Sequence, residues 1–119
     1  MVCWPFHGDQ GNIAIKLYPH SKVVSNAISI EHVPRSIAHN IGSAPKAFEV
    51  WVYQNAGDEA PKKVFSGEYD ALHGRAVQTF RWHNEDHIVP IIQVRILSNF
   101  GHPQHTCIYR IRVQGSVAN

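Results

Sequence analysis

Histidine and cysteine are the residues of this chain whose types and spacing suggest chemistry. Nine histidines occur in 119 residues, and two patterns stand out, His102-x-x-His105-x-Cys107 and His83-x-x-x-His87. Imidazole and thiolate bind zinc, but a structural zinc ion takes four such ligands, and a strand does not place residues i and i+3 on one face. We therefore expect no metal site. The alternative explanation is that turn histidines hydrogen-bond to the backbone.

A catalytic site is not indicated either. A cysteine nucleophile needs a base held against it. Glu68 and Asp70 lie too near a turn to suggest an acid–base pair, and no glycine-rich phosphate loop is present. The sequence therefore predicts a protein that is not an enzyme and that needs no cofactor.

Three small polar side chains among apolar neighbours favour a binding surface instead. His32 lies on the apolar face of a predicted strand, Ser43 lies in a Gly-Ser-Ala-Pro turn, and Tyr109 follows Cys107 by two residues. Groups of this kind can hold a carboxylate or a peptide backbone. Each also has a purely structural explanation, as a core histidine, a turn serine and a core tyrosine.

Composition excludes several classes of partner. The formal net charge is +2, and the eleven lysines and arginines are scattered rather than clustered, so we expect no nucleic-acid partner. No apolar run approaches the roughly 18 residues that span a bilayer, and the N-terminus lacks a signal-peptide pattern.

Short strands must position these side chains. Apolar and polar residues alternate in seven segments separated by turn residues, at positions 12–17, 23–33, 47–54, 64–69, 76–82, 88–98 and 106–113. The inward faces should include Phe48, Val50 and Val52, and separately Ile92, Val94 and Ile96. In the last segment Cys107, Tyr109, Ile111 and Val113 should share a face. The pattern predicts one all-β domain, an antiparallel β-sandwich of jelly-roll type.

Turn residues separate the strands. Gly101 and Pro103 should form a sharp turn before the last strand, because glycine accepts positive φ and proline cannot continue a central ladder. Pro90 suggests an edge or bulge, and the polar segment 55–63 should be an exposed loop.

The two cysteines, Cys3 and Cys107, lie near opposite ends of the sequence. They are either buried free thiols in a reducing compartment or a disulfide that holds the first residues against the last strand. Such a disulfide closes nearly the whole chain into one loop, which stabilises a domain by about 4 to 5 kcal/mol on the chain-entropy model.

Several segments, in order, resemble the SUN domain from residue 3 to residue 115. The last of these segments, residues 106–115, is specific to that family. They are Cys3-Trp-Pro-Phe with Gly8 and Gly11, Glu31-His-Val-Pro34, Ser43-Ala-Pro-Lys-Ala-Phe48, Gln78-Thr-Phe80, Ser98-Asn-Phe-Gly-His-Pro103 and Thr106-Cys-Ile-Tyr-Arg-Ile-Arg-Val-Gln-Gly115.

The resemblance implies a function. SUN proteins lie in the inner nuclear membrane with this discoidin-like β-sandwich in the perinuclear space. They form homotrimers and bind the C-terminal tails of KASH proteins of the outer nuclear membrane. The resulting LINC complex links the nucleus to the cytoskeleton. A tail that contacts two neighbouring protomers would make affinity depend on the trimer.

The resemblance also implies roles for six residues. Cys3 and Cys107 match the family's internal disulfide. His32, Ser43 and Tyr109 match positions that line the pocket for the KASH tail and its terminal carboxylate. Gly11 matches a glycine near that surface, where a side chain would obstruct.

Residues 3–116 correspond to the C-terminal portion of a SUN domain. The lid over the peptide, most of the cation loop, the coiled coil and the transmembrane part would all lie upstream of this chain. We therefore expect the isolated chain to bind KASH tails weakly, if at all.

A carbohydrate-binding β-sandwich of the discoidin kind is the alternative function. Trp51, Tyr53 and Trp82 would suit sugar stacking if they lie on an outer face. They would instead be structural if they pack as half-buried strand residues.

Overall fold

A computed structural model of the chain describes residues 4–17, 23–32, 41–53, 61–83 and 91–117. The described part contains nine strands and one 3₁₀ turn, Ile41–Ser43. The strands are β1 Trp4–His7, β2 Gly11–Lys16, β3 Val23–Glu31, β4 Ala47–Tyr53, β5 Lys62–Glu68, β6 Val77–Arg81, β7 Ile91–Ile96, β8 His105–Ile108 and β9 Arg110–Val117.

The strands form two antiparallel sheets and a two-stranded ribbon. One sheet has the order β2-β7-β4-β5 and the other the order β6-β3-β9, while β1 pairs with β8. The sheets pack face to face, as the edge-on contact of Phe48 in β4 with Phe80 in β6 shows, at 4.7 Å between ring centroids. The predicted all-β antiparallel sandwich is confirmed.

The core follows the predicted alternation. In β4 the residues Phe48, Val50 and Val52 are buried between half-buried neighbours. In β7 the buried residues are Ile92, Val94 and Ile96. Period-two burial is what a strand with one face on the core produces, so both inward faces are confirmed.

The last strand differs from its prediction. Segment 106–113 is not continuous, because β8 ends at Ile108 and β9 begins at Arg110, with Tyr109 between them. The register pairs β8 with β1, and β9 with β3. The chain thus leaves the ribbon and enters a sheet at Tyr109, whose backbone N–H donates to Glu31 O at 3.2 Å.

The first strand was missed by sequence reasoning. Residues 4–7 lie outside the seven predicted segments, yet they form β1, which pairs with β8 so that Trp4 is opposite Ile108 and His7 is opposite His105. A four-residue segment shows little periodicity of its own, and its pairing partner lies at the other end of the chain. Pro90 and most of loop 55–63 lie outside the described residues, and Lys62 and Lys63 belong to β5.

Candidate functional site

His32 and Tyr109 come together at one end of the three-stranded sheet. His32 directly follows β3 and is 2% exposed, while Tyr109 separates β8 from β9 and is half-buried. The imidazole and phenol rings meet nearly at right angles, 85°, with their centroids 4.9 Å apart. Edge-to-face packing of this kind is the favoured geometry for two rings. The structure therefore joins two residues that the sequence predicted as a pair of ligand contacts.

Ser43 is the last residue of the 3₁₀ turn Ile41–Ser43. The Gly42 carbonyl accepts the N–H groups of Phe100 and His102, both at 3.1 Å, and the turn contacts β8. Ser43 itself is buried. The predicted turn serine is thus fixed against the loop that leads into β8 and on to Tyr109.

The packing around Gly11 leaves no room for a side chain unless Phe6 moves. It begins β2 opposite Ile96, and a Cβ built on it would lie 2.6 Å from Cδ2 and Cε2 of the Phe6 ring. Real Cβ atoms do not approach a ring so closely, so any side chain at position 11 would displace Phe6. The place of Gly11 near the tail-binding surface, which the resemblance implies, stays a prediction.

Cys107 is disulfide-bonded and almost completely buried. It lies in β8 opposite Pro5 of β1. Its predicted partner, Cys3, lies outside the described residues, so the Cys3–Cys107 pairing stays a prediction.

A cavity of about 760 Å³ lies beside Cys107 and was not predicted from the sequence. Its other lining residues come from β1 and the segment entering β8: Pro5, Phe6, His7, Gln104 and His105. His7 and His105 face each other across the two strands. Sequence patterns do not reveal this cavity, because it depends on the pairing of β1 with β8. The cavity offers an apolar floor with imidazole and amide groups at its rim.

The loop that enters β8 is held by Asn99. Its Nδ2 lies 2.9 Å from His102 O, 3.3 Å from His105 O and 3.1 Å from Thr106 Oγ1, while its Oδ1 accepts Gly101 N–H at 2.9 Å. Gly101 has φ of +108°. The predicted sharp turn is confirmed, and it sets where β8 begins.

His102 has the structural role of a turn histidine. His102 Nδ1 accepts the backbone N–H groups of Gln104 and His105, both at 3.1 Å. Within the ranges that the structure describes, no three His, Cys, Asp or Glu residues are placed to hold a metal ion. His87 lies outside those ranges.

Two of the three aromatic residues considered for sugar stacking, Trp51 and Trp82, are engaged within the protein. The Arg95 guanidinium lies over the Trp51 ring at 4.0 Å, and Trp51 Nε1 donates to Glu49 Oε1 at 3.1 Å. Trp82 packs against the core next to Phe65. These contacts fit the structural explanation and not an exposed stacking platform.

The fold defines a β-sandwich domain in which His32 and Tyr109 are in contact where the three-stranded sheet meets the two-stranded ribbon. A solved structure of the C-terminal domain of a chitobiase from Bacteroides fragilis shares the fold, with a TM-score of 0.65 and 14% identity over 92% of this chain and 66% of that one. The described residues include no helix with the length and apolar character of a membrane-spanning segment.

The chain belongs to the Sad1/UNC-like C-terminal family, the family of SUN domains, whose model matches residues 1–117. It is 38% identical over 117 residues to rat sperm-associated antigen 4 protein and 38% identical over 120 residues to mouse SUN domain-containing protein 3. The Drosophila melanogaster Klaroid protein is 38% identical over 118 residues. Each match covers 95% of this chain but only 26%, 35% and 12% of the respective relative.

Proposed function

We propose that this domain is a nuclear-envelope tethering module that binds the C-terminal tail of a KASH protein in the perinuclear space. It would belong to an inner nuclear membrane protein and form part of a LINC complex. Membership of the SUN family supports this assignment. The observation that supports it most directly is the contact between His32 and Tyr109, two matched pocket positions that the fold brings together.

The proposed mechanism is recognition of a terminal carboxylate without a chemical step. A phenol, a hydroxyl and an imidazole can each donate to a carboxylate, and such charge-assisted hydrogen bonds are stronger than neutral ones. His32 and Ser43 are buried, whereas Tyr109 is half-buried. We assign the direct contact to Tyr109 and a supporting position to the other two.

The cavity beside Cys107 suits the residues that precede the carboxylate. Its floor includes Pro5 and Phe6, and Cys107 borders it two residues before Tyr109. Apolar tail residues such as proline can pack on such surfaces. In this arrangement the tail would place its carboxylate near Tyr109 and its apolar residues over β1 and β8.

We also propose that the full-length protein binds the tail as a homotrimer. The chain spans about a quarter to a third of rat sperm-associated antigen 4 protein and mouse SUN domain-containing protein 3. A homotrimer formed through other parts of the protein would raise the affinity for a tail that contacts two protomers.

Titration of the ¹⁵N-labelled chain with a synthetic KASH C-terminal peptide tests the proposal. The peptide is used as free acid and as amide, against this chain and against the same chain fused to a trimeric coiled coil. We expect the acid to bind more tightly than the amide, and the trimer more tightly than the monomer. Tyr109→Phe should weaken binding of the acid, while Tyr53→Phe serves as the matched control. Equal binding of acid and amide, or no binding by the trimer, would refute the proposed site.

A further inference from the structure

Tyr69 is a buried polar residue that sequence reasoning did not connect with the site. It follows β5 and is 2% exposed, which makes it one of the largest fully buried side chains of the described residues. A tyrosine at such depth needs a partner for its hydroxyl, because an unsatisfied buried polar group is costly. The groups that hydrogen-bond to its hydroxyl therefore show which part of the fold Tyr69 holds in place.

The Tyr69 hydroxyl lies at the end of β3, against the backbone of His32. The His32 N–H points to Tyr69 Oη at 3.2 Å and to Ala76 O at 3.1 Å. The Tyr69 hydroxyl in turn donates to Ala76 O. These three groups close a small hydrogen-bonded ring that fixes His32 just where β3 ends.

The backbone of Tyr69 holds a second part of the site. Its N–H donates to Lys46 O at 2.9 Å, in the segment that follows the Ser43 turn. In the same segment Lys46 N–H donates to Ser98 O at 2.8 Å. One residue thus connects the segment that bears His32 with the segment that bears Ser43.

Burial raises the pKa of the Tyr69 phenol above its ordinary value. The residue therefore stays neutral at physiological pH and keeps the proton that it donates to Ala76 O. A phenylalanine at this position would keep the ring packing but lose both hydrogen bonds of the hydroxyl.

We propose that Tyr69 is a positioning residue of the tail-binding site. Through the hydrogen bond to the His32 backbone it sets the imidazole against the Tyr109 ring, and Tyr109 then presents its hydroxyl to the ligand. This inference rests on the proposed function for its binding consequence. The positioning itself depends only on the geometry of Tyr69, His32 and Tyr109.

Tyr69→Phe tests the inference. We expect KASH-peptide affinity to fall about three- to tenfold, the range that loss of one buried hydrogen bond produces. In a His32→Ala background the same substitution should have no further effect, because Tyr69 acts through His32. Thr79→Val is the control, since it removes the Ser29–Thr79 hydroxyl hydrogen bond of 2.8 Å in the same sheet and should leave affinity unchanged.

An NMR measurement separates positioning from general stability. The His32 ring protons lie near the Tyr109 ring, so their chemical shifts report the 4.9 Å edge-on contact. These shifts should move in Tyr69→Phe and stay constant in Thr79→Val. Unchanged His32 shifts, or additive losses in the double variant, would overturn the inference.

A second readout does not require the variant to fold. With all four tyrosines replaced by 3-fluorotyrosine in the otherwise wild-type chain fused to the trimeric coiled coil, saturating peptide should shift the ¹⁹F resonance of residue 69. If the ¹⁹F chemical shift of residue 69 does not change when peptide saturates the protein, the inference is contradicted. If neither the isolated chain nor its trimeric fusion binds the acid or the amide peptide, the proposed function fails. The chemical shifts of the His32 ring in Tyr69→Phe still test the positioning role in that case.

Discussion

The imidazole of His32 meets the ring of Tyr109 edge-on, with 4.9 Å between centroids, although His32 follows β3 and Tyr109 separates β8 from β9. The contact forms because β9 pairs with β3 along its length, with Arg110 opposite Glu31. Tyr109 is therefore held at the point where the chain passes from the ribbon into the sheet. The ring contact with His32 and the backbone hydrogen bond to Glu31 O hold Tyr109 in place, and a donor held in place loses less entropy when a ligand binds.

Loss of the disulfide should destabilise the domain strongly. If Cys107 is bonded to Cys3 as the sequence predicts, Cys107→Ser should lower the free energy of unfolding by about 4 to 5 kcal/mol. Urea unfolding followed by fluorescence measures this loss. Wild-type protein kept in a strong thiol reductant is the control and should lose a similar amount. Equal stability of the oxidised wild type and the variant would contradict the prediction.

Asn99 should be the most sensitive polar residue of the loop before β8. Asn99→Ala removes an amide that contacts His102 O, Thr106 Oγ1 and Gly101 N. We expect the free energy of unfolding to fall by about 1 to 3 kcal/mol, because partly buried partners lose their hydrogen bonds. Asn12→Ala, at an exposed position of β2, is the matched control and should change stability by less than about 0.5 kcal/mol. Similar effects of the two substitutions would argue against the role of Asn99.

Gly11→Ala should disturb the site through Phe6. The new Cβ would overlap the Phe6 ring, and overpacking of this kind costs about 1 to 3 kcal/mol. Phe6→Leu removes the overlapping ring atoms, so the double variant should be less destabilised than the sum of the single variants. Thermal unfolding of the four proteins measures this coupling. Strict additivity would show that the requirement for glycine has another source.

Stability should fall at high pH because of Tyr69. Desolvation raises the pKa of the folded-state phenol above the ordinary value of 10.0. A raised folded-state pKa gives stability that is present in full below pH 10 and lost as pH rises through the folded-state value. The stability difference between wild type and Tyr69→Phe should therefore shrink between pH 8 and pH 11. Urea unfolding at both pH values measures it, with Thr79→Val as a control whose difference stays constant.

Removal of Arg95 should uncover Trp51. The guanidinium lies 4.0 Å from the centroid of the indole ring on the outer face of the four-stranded sheet. Arg95→Ala should shift the tryptophan emission to longer wavelength and lower stability by about 0.5 to 1 kcal/mol, the range for exposed cation–π contacts. Arg81→Ala, at an exposed position of β6, is the control. An unchanged emission spectrum in Arg95→Ala would indicate that the indole is covered by other groups.

The sequence by itself determined the class of fold, the faces of the central strands and the family. Alternation at Phe48, Val50 and Val52 is a local property, since each strand must bury one face wherever it pairs. The turn at Gly101 is equally local, because positive φ depends on one residue. Family-specific residues such as the segment 98–115 can likewise be recognised without coordinates.

Only the tertiary structure decided how distant segments meet. The β1–β8 pairing and the cavity beside Cys107 require contacts between the two ends of the chain, and the break at Tyr109 requires the pairing of β9 with β3. Tyr69 could not be assigned a role from its neighbours in sequence, since its partners are His32, Lys46 and Ala76. Periodicity reports which side of a strand is buried, but it does not specify which strand lies opposite. The site is built from such pairings, so its geometry becomes visible only when the chain is folded.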